Sequence, residues 1–443
     1  MEKISILLGK AADTLTRMKG SGGSALPGLV VEKTDPNFLK RVLSPLPYGV
    51  VVVSGTNGKT TTTKLLSALL KSAGLRVFTN ATGSNFVRGV ISSVLKKIHL
   101  NGRFDYDIAV LELDEAHALR FIKLCPVRYA LLLNVARDQL DRFAEIDHTS
   151  DLLAKLARAA THAVVLNRSD PRIATIPKSS LQKGVKLAYF GLAPKLAPLF
   201  PSDDALLAPR QQATQKSAQS PAKLVAAKSA QAVKQILSSQ AGDQPDFTLL
   251  SFSPQKATYA FGEQRFSLGL KVKGGFNAYN LAAVFATAQL ILPHYPIKDF
   301  AKAASQIEPA FGRGESLSYK GSTLELFLVK NPAAFRASLA SLADQKHAYM
   351  IAINDCIADG RDVSWLWNVD FSKLESVAMV SGLRAFDMAL RLKYDNVKLG
   401  QIEPDLKKAL QSFCKGSQPK RIFATYTAML ALRKIILGRS IDR

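Results

Sequence analysis

Twelve consecutive residues constrain this chain more than any others: Val51-Val52-Val53-Ser54-Gly55-Thr56-Asn57-Gly58-Lys59-Thr60-Thr61-Thr62. The β-branched run from Val50 to Val53 predicts a strand buried on both faces, as in a parallel sheet. The spacing from Thr60 to Ala73 predicts an amphipathic helix. Between them, Gly55-Thr56-Asn57-Gly58-Lys59-Thr60 makes a strand–loop–helix cradle for phosphate. Glycines let backbone N–H groups close on an anion, the helix N-terminus adds partial positive charge, and Lys59 reaches the outer phosphates. Thr60 is placed to put a hydroxyl on Mg²⁺. The strict Gly-x-x-x-x-Gly-Lys-[Ser/Thr] form would need glycine where this chain has Val53, so the loop is a variant. A glycine turn before an ordinary helix is the alternative. The coincidence of strand, glycines, lysine and threonine favours a nucleoside triphosphate, ATP, held by residues Gly55 to Thr61.

A chain of 443 residues can hold two or three domains, each with its own core. No apolar run approaches the roughly 20 residues that a spanning helix needs, and the N-terminus makes a poor signal peptide. A cytoplasmic protein is expected. Three scattered cysteines and six scattered histidines support neither a disulfide framework nor a zinc site. The formal charge of +24 is spread along the chain, as a general field rather than a basic arm. Such a field suits ATP, an anionic membrane face or an acidic partner. Nucleic acid is not expected, because no zinc finger, aromatic RNP-type motif or basic–aromatic interleaving occurs.

Residues 1–46 read as a lead with one amphipathic helix, a Gly-Ser link from Gly20 to Ser24, and Leu26-Pro27-Gly28. From 47 to about 192, strands alternate with helices, the pattern of a parallel sheet covered on both faces. Strands are expected at Gly49–Ser54, Leu75–Thr79, Ile108–Leu113, Tyr129–Asn134, Ala163–Asn167 and Lys186–Phe190. Residues 193–244 are rich in Ala, Gln, Lys, Ser and Pro, which reads as a low-complexity insertion, flexible or a loosely ordered helical arm, rather than a folded domain. Strand alternation returns over 246–270, and a helix over Ala278 to Leu292. A linker around Ile307 to Gly314 leads to a third α/β segment, with strands at Leu324–Val329, Tyr349–Ile353, Ser376–Ser381 and Arg421–Thr425. The expected division is therefore a lead (1–46), a nucleotide-binding middle domain (47–312) and a Rossmann-like C-terminal domain (313–443).

Val110-Leu111-Glu112-Leu113-Asp114-Glu115 ends an apolar strand in carboxylates, which offers hard oxygen ligands to Mg²⁺ beside the loop. Further along stand Asn134-Val135-Ala136-Arg137-Asp138-Gln139-Leu140-Asp141, Leu166-Asn167-Arg168-Ser169-Asp170-Pro171, Gly275-Phe276-Asn277-Ala278-Tyr279-Asn280 and Gly312-Arg313-Gly314-Glu315. Each is weak alone, since an asparagine before a helix is usually a cap. Their order along the chain, together with the phosphate loop, resembles the Mur ligases. That resemblance implies a P-loop ATPase middle domain, with Glu112 on the metal, Asn167 and Asp170 near the nucleotide, Asn280 on the adenine and Arg313 near the γ-phosphate. Gln139 stands where several Mur ligases have histidine.

Lys330-Asn331-Pro332-Ala333, the acidic stretch Asn354-Asp355-Cys356-Ile357-Ala358-Asp359-Gly360-Arg361-Asp362, and Tyr426-Thr427-Ala428-Met429 narrow the resemblance to the MurT-like branch of the family. That branch implies ATP-dependent amidation of the D-glutamate α-carboxyl in a lipid II stem peptide, through an acyl phosphate, with ammonia from a GatD-type glutamine amidotransferase in a heterodimer. Lys59 and Arg313 would act on the transferring phosphoryl group. Asp362 is the best match for the aspartate that completes the partner's Cys–His pair, with Asp355 and Asp359 as competitors; all three acids could instead cap turns. Many relatives carry a four-cysteine zinc ribbon where this chain has the 193–244 segment, so no zinc is expected. A lipid-borne substrate would bring peripheral contact with the inner membrane face. The alternative is a stand-alone Mur-type ligase that joins an amino acid.

Overall fold

The computed structural model describes residues 2–18, 25–80, 85–136, 146–200, 247–253, 255–271, 274–307 and 313–438. The 201–244 part of the low-complexity segment, residues 137–141 with Gln139, and the Gly20–Ser24 link lie outside the described residues.

The first half of the chain gives helices α1 (Glu2–Met18), α2 (Ala25–Thr34) and α3 (Phe38–Leu43), then strand β1 (Val50–Ser54) and helix α4 (Lys59–Ser72). There follow β2 (Val77–Thr79), α5 (Val87–Leu95), β3 (Ile108–Glu112), α6 (Glu115–Leu124), β4 (Val127–Leu132), α7 (Ile146–Ala159), β5 (Ala160–Asn167), the single turn α8 (Pro171–Ala174) and β6 (Lys186–Leu192). Strands β7 (Phe247–Phe252), β8 (Lys256–Phe261) and β9 (Gln264–Gly269) precede α9 (Gly275–Ile291) and α10 (Ile297–Gln306). The strands form one sheet in the order β2-β3-β1-β4-β5-β6-β7-β8-β9. Its members from β2 to β7 are parallel, and β8 and β9 add an antiparallel meander.

β1 shows why the run of valines is possible. All five of its residues are buried, and alternate side chains serve opposite cores. Val51 and Val53 join Leu65, Leu66 and Leu69 of α4 and Leu281, Val284 and Phe285 of α9. Val50 and Val52 join Ile6, Val31, Phe38 and Leu43 from α1–α3, with Val90 and Phe121 beyond them. The N-terminal lead is thus three helices rather than one, and it shares the sheet's second core. Leu26-Pro27-Gly28 lies inside α2, where proline near the helix start loses no intrahelical bond. Gly28 is there for contact: a Cβ at that position would stand 2.1 Å from the Arg88 carbonyl oxygen of α5.

The second half forms a separate sheet from β10 (Arg313–Tyr319), β11 (Ser322–Leu328), β12 (Ala348–Ala352), β13 (Ser376–Ser381), β14 (Lys398–Ile402) and β15 (Lys420–Ala424), in the order β10-β11-β15-β12-β13-β14. Only β10 runs antiparallel to its neighbour. Helices α11 (Pro332–Leu342), α12 (Ala385–Tyr394), α13 (Leu406–Phe413) and α14 (Tyr426–Leu437) cover it. Two strands, β10 and β14, have no counterpart among those expected from the sequence. They are the two edges of the sheet, where one face and one side of the ladder meet water, so polar residues replace the apolar run that marks a strand. β10 also begins at Arg313, inside the segment expected to be a linker. The other strand ends either match expectation, as both ends of Ser376–Ser381 do, or differ by at most three residues, and the middle helix starts at Gly275 rather than Ala278.

Gly28→Ala should force α2 away from α5, because the obstacle is backbone rather than a flexible side chain. A loss of about 1–3 kcal/mol in denaturant unfolding is expected. Gly74→Ala, whose Cβ would meet nothing within 4 Å although its φ is +90°, should cost less and serves as the comparison.

Candidate functional site

The strand order places β1 between β3 and β4, so the chain leaves β1 to one side and later returns on the other. The crevice at the carboxyl ends of such strands is where open α/β sheets bind ligands. The loop from Gly55 to Gly58 occupies it. Gly55 has φ +128° and its missing Cβ would lie 2.9 Å from the Asn134 backbone; Gly58 has φ +91° and leads directly into α4. The first bond into the helix runs from the Thr62 amide to the Gly58 oxygen (2.9 Å). The amides of Lys59, Thr60 and Thr61 belong to the first turn of the helix, the place where an anion is held. The Thr61 hydroxyl in the same turn is buried and unbonded, as are those of Thr62 and Thr63.

The loop is held from the β4 side. Asn57 N–H donates to Asn134 Oδ1 (2.8 Å), and Asn134 Nδ2 donates back to the Asn57 oxygen (2.9 Å). The Thr56 amide donates to the Asn134 oxygen (2.9 Å), and its Oγ1 receives the Ala136 N–H (3.0 Å). From the next strand, Asn167 Nδ2 donates to the Leu133 oxygen (2.6 Å), and Tyr279 Oη donates to Asn167 Oδ1. Asp170 accepts the Val135 amide (2.8 Å) on one oxygen and those of Arg172 (3.0 Å) and Ile173 (3.1 Å) on the other. Burial pushes the Asp170 carboxyl up to about 6 in spite of those three donors. Asn167 and Asp170 thus line the crevice, but much of their bonding capacity braces the loops.

On the β3 side, Thr60 Oγ1 donates to Glu112 Oε1 (2.9 Å). Glu112 is itself fixed by Asn80, which donates to its carbonyl (2.8 Å) and accepts its amide (2.9 Å). Mg²⁺ commonly takes one or two protein oxygens and completes its shell with phosphate and water, so a hydroxyl and a carboxylate side by side at the loop mouth fit it. Lys59 Nζ donates to the Gly55 oxygen (2.6 Å) and lies 3.6 Å from Glu115, both side chains being buried. Glu115 stood in the sequence among the strand-end carboxylates offered to a metal, and its pairing with Lys59 was not expected there. The Asn280 amide packs over Gly58, at the phosphate end of the cradle.

The second sheet completes the site. Lys330 Nζ donates to the Thr56 oxygen (3.2 Å), and Asn331 Nδ2 donates to Asn57 Oδ1 (3.0 Å). Asn331 is fully buried, and its Oδ1 caps α11 by accepting the Ala334 amide (2.9 Å). Beside this junction lies a cleft lined by Asn57, Asn134, Ser169, Phe200, Phe276 and Tyr279 and closed by Ala333 and Ala337 of α11. Its aromatic wall, with Phe200 centred 5.2 Å from Phe276, edge to face, and 5.5 Å from Tyr279, tilted, offers an apolar surface next to a phosphate cradle. β10 carries Arg313 into the second sheet, and its partner in register is Phe327.

The acidic loop leaves the carboxyl end of β12, two strands from β11 and so about 10 Å across the sheet from it. Its three acids differ. Asp359 is buried and accepts the Cys356 amide (3.1 Å), the Thr427 amide (2.7 Å) and the Thr427 hydroxyl (2.5 Å). Asp355 is paired with Arg384 (2.7 Å). Asp362 is exposed, bonded only locally to the Ser364 amide (2.8 Å) and hydroxyl (2.9 Å). Exposed apolar side chains flank them: Ile357, Leu383, and Phe386, Leu390 and Tyr394 along one face of α12, with Trp367 centred 5.2 Å from Tyr394.

Comparisons with known proteins agree with this architecture. The Mur ligase middle domain matches residues 53–288, more than half of the chain, and the MurT ligase C-terminal domain matches residues 328–429. The chain belongs to the Mur ligase family. Within that family its resemblance is to the MurT branch. It is 28% identical to the lipid II isoglutaminyl synthase (glutamine-hydrolyzing) subunit MurT of Streptococcus pneumoniae, over 99% of this chain and 98% of that one. It is 29% identical to the MurT subunit of Staphylococcus aureus, over 91% of each. Among solved structures, MurF from Acinetobacter baumannii superimposes with a TM-score of 0.64 at 18% identity, covering 93% of this chain and 81% of that one. MurF from Thermotoga maritima in complex with ADP gives 0.62 at 16% identity, covering 93% and 84%. At these identities the structures share the fold.

Asn134→Ala should leave both backbone groups of Asn57 unpaired, and ADP affinity measured by calorimetry should fall about tenfold, or 1.4 kcal/mol. Asp170 sets a pH dependence. Its folded value of about 6 lies above the ordinary 3.8, so folding takes up a proton there. The stability this group contributes is present below about 4 and lost as pH rises through about 6. The stability difference between the native chain and Asp170→Asn should fall across that interval in denaturant titrations and then level.

Proposed function

We propose that the chain is the ligase subunit of a lipid II isoglutaminyl synthase, using ATP to amidate the D-glutamate α-carboxyl of the stem peptide. The observation that carries this reading is the hold of Lys330 and Asn331 on the phosphate loop. It makes one site from two carboxyl sheet edges, the first bearing a polyphosphate cradle and the second an exposed carboxylate and an apolar surface suited to a partner.

In this reading the loop amides and Lys59 grip the β- and γ-phosphates of ATP, the aromatic cleft takes the base, and Arg313 belongs near the γ-phosphate. Thr60 and Glu112 would hold Mg²⁺, which supplies charge neutralisation on the phosphates when bound. The substrate carboxylate attacks the γ-phosphorus, ADP leaves, and an acyl phosphate results. Ammonia then attacks the acyl carbon and expels phosphate to leave the amide. Lys59 favours the first step because charge builds on the transferring group beside a fixed cation in a water-poor cleft. Closing of the two sheets at Thr56–Lys330 around bound ligands would keep water from hydrolysing the acyl phosphate.

The ammonia is assigned to a GatD-type glutaminase subunit. Burial raises the Cys125 thiol to about 12 and also raises that of Cys414, the reverse of what an attacking thiolate needs; the third cysteine, Cys356, is exposed in the acidic loop. Asp362, exposed beside the apolar face of α12, is the carboxylate best presented to orient a histidine of such a partner. Asp359 is spent on Thr427 and Cys356, and Asp355 on Arg384.

Lys59→Ala should lower ATP-dependent amidation by at least about a thousandfold, with the fold retained by circular dichroism. Asp362→Asn, assayed with the glutaminase subunit present, should lose glutamine-dependent amidation while keeping amidation from free ammonium. Loss of both, or turnover stimulated by an amino acid without any glutaminase, would sink this reading in favour of a stand-alone amino-acid ligase.

A further inference from the structure

Helix α1 is turned the wrong way for an ordinary surface helix. Among its described side chains, those it directs into the protein are small or polar: Ser5, Gly9 and Thr16 are buried, and Ile6 is the one large apolar residue with them. Four other large apolar residues of the helix point outward. Ile4, Leu7, Leu8 and Leu15 are 61%, 60%, 44% and 59% exposed, with Ala11 between them on the same face. Their positions at i, i+3, i+4 and i+11 make one continuous stripe.

This orientation is enforced. Ser5 Oγ donates to Asp35 Oδ2 (2.9 Å), and Asp35 is itself clamped by two bonds from Arg41. At Gly9 a Cβ would already lie 2.6 Å from Val31 Cγ2 and 2.7 Å from Leu95 Cδ1. The helix cannot roll its leucines inward without driving them into α2 and α5. An apolar stripe held outward by a specific hydrogen bond and a glycine contact is a surface built to be covered.

Charge identifies the cover. Lys3, Lys10 and Arg17 recur at intervals of seven, which places all three positions along one edge of the stripe. The whole chain carries +24. None of the described helices is long and apolar enough to cross a membrane. A stripe of leucine and isoleucine with a basic edge, on a helix too short and too polar to span, has the make-up of a helix that lies in the headgroup boundary. We propose that α1 seats this protein on an anionic lipid bilayer through Ile4, Leu7, Leu8 and Leu15, which, given the function proposed above, brings the ligase to a lipid-carried stem peptide.

Flotation of the full chain with vesicles tests this, in the absence of ATP and stem peptide so that the result does not depend on the reaction. Vesicles of phosphatidylcholine with phosphatidylglycerol should carry the protein; pure phosphatidylcholine should carry much less. Leu7→Glu combined with Leu15→Glu should weaken binding by at least about tenfold, and Lys10→Glu by about fivefold. ADP affinity and melting temperature of these variants should match the native chain, since none of the three residues touches the phosphate loop. A polarity-sensitive dye on Leu8→Cys should shift to the blue only with anionic vesicles. Absence of vesicle binding, or equal binding by native and double-variant chains, would overturn the proposal. So would a concentration-dependent dimer abolished by the same substitutions, since the stripe would then belong to a second copy. If vesicles bind as expected but no amidation occurs, the functional reading fails and the docking stands. If lipid-free stem peptide is amidated normally while flotation fails, the reverse holds.

Discussion

The reciprocal amide pairing of Asn57 and Asn134 is the constraint on which the site depends. A phosphate cradle needs several backbone N–H groups left without partners inside an otherwise buried loop, and such groups are costly unless the rest of the loop is rigidly satisfied. Asn134 saturates both backbone groups of Asn57, Thr56 is tied to Asn134 and Ala136, and Asn167 and Asp170 tie the neighbouring Leu133 and Val135 to β5 and the turn after it. The amides that face the anion are then those of the first turn of α4, where the helix dipole adds to their pull. Asparagine suits this task because one side chain offers a donor and an acceptor together, matching both groups of a peptide unit.

The same economy joins the two halves. Asn331 spends one end of its amide on capping α11 and the other on the Asn57 side chain, so the start of that helix and the phosphate loop are positioned by a single residue. Movement of the second sheet would break this bond and the Lys330–Thr56 bond together. A ligand held in the cleft beneath Ala333 and Ala337 is therefore coupled to the placement of the whole C-terminal sheet, including the edge where Asp355, Asp359 and Asp362 lie.

Buried polar pairing organises the second sheet as well. Glu325 of β11 and Arg421 of β15 are direct neighbours in register and are bonded through two guanidinium nitrogens, while Arg421 also reaches Asp344 and His347 at the opposite end from the site. An ion pair of this kind contributes more to fixing register than to net stability. Register matters here because it sets which residues of β11 and β12 stand at the carboxyl edge.

Local order along the chain was enough to define the valine strand, the glycine loop, Lys59 and Thr60 at the helix start, Glu112 at a strand end, and the alternation that makes both halves α/β. Those features depend on residues a few positions apart, whose periodicity and turn chemistry are written directly in the sequence. Edge strands β10 and β14 were not legible, since solvent on one side removes the apolar signature. The pairing of Glu115 with Lys59, the docking of Lys330 and Asn331 on Thr56 and Asn57, the division of labour among Asp355, Asp359 and Asp362, and the outward turn of α1 were decided only by the tertiary structure. Each depends on which strands lie side by side and on how closely helices can approach. Those distances join residues separated by tens to hundreds of positions, and no local pattern encodes them.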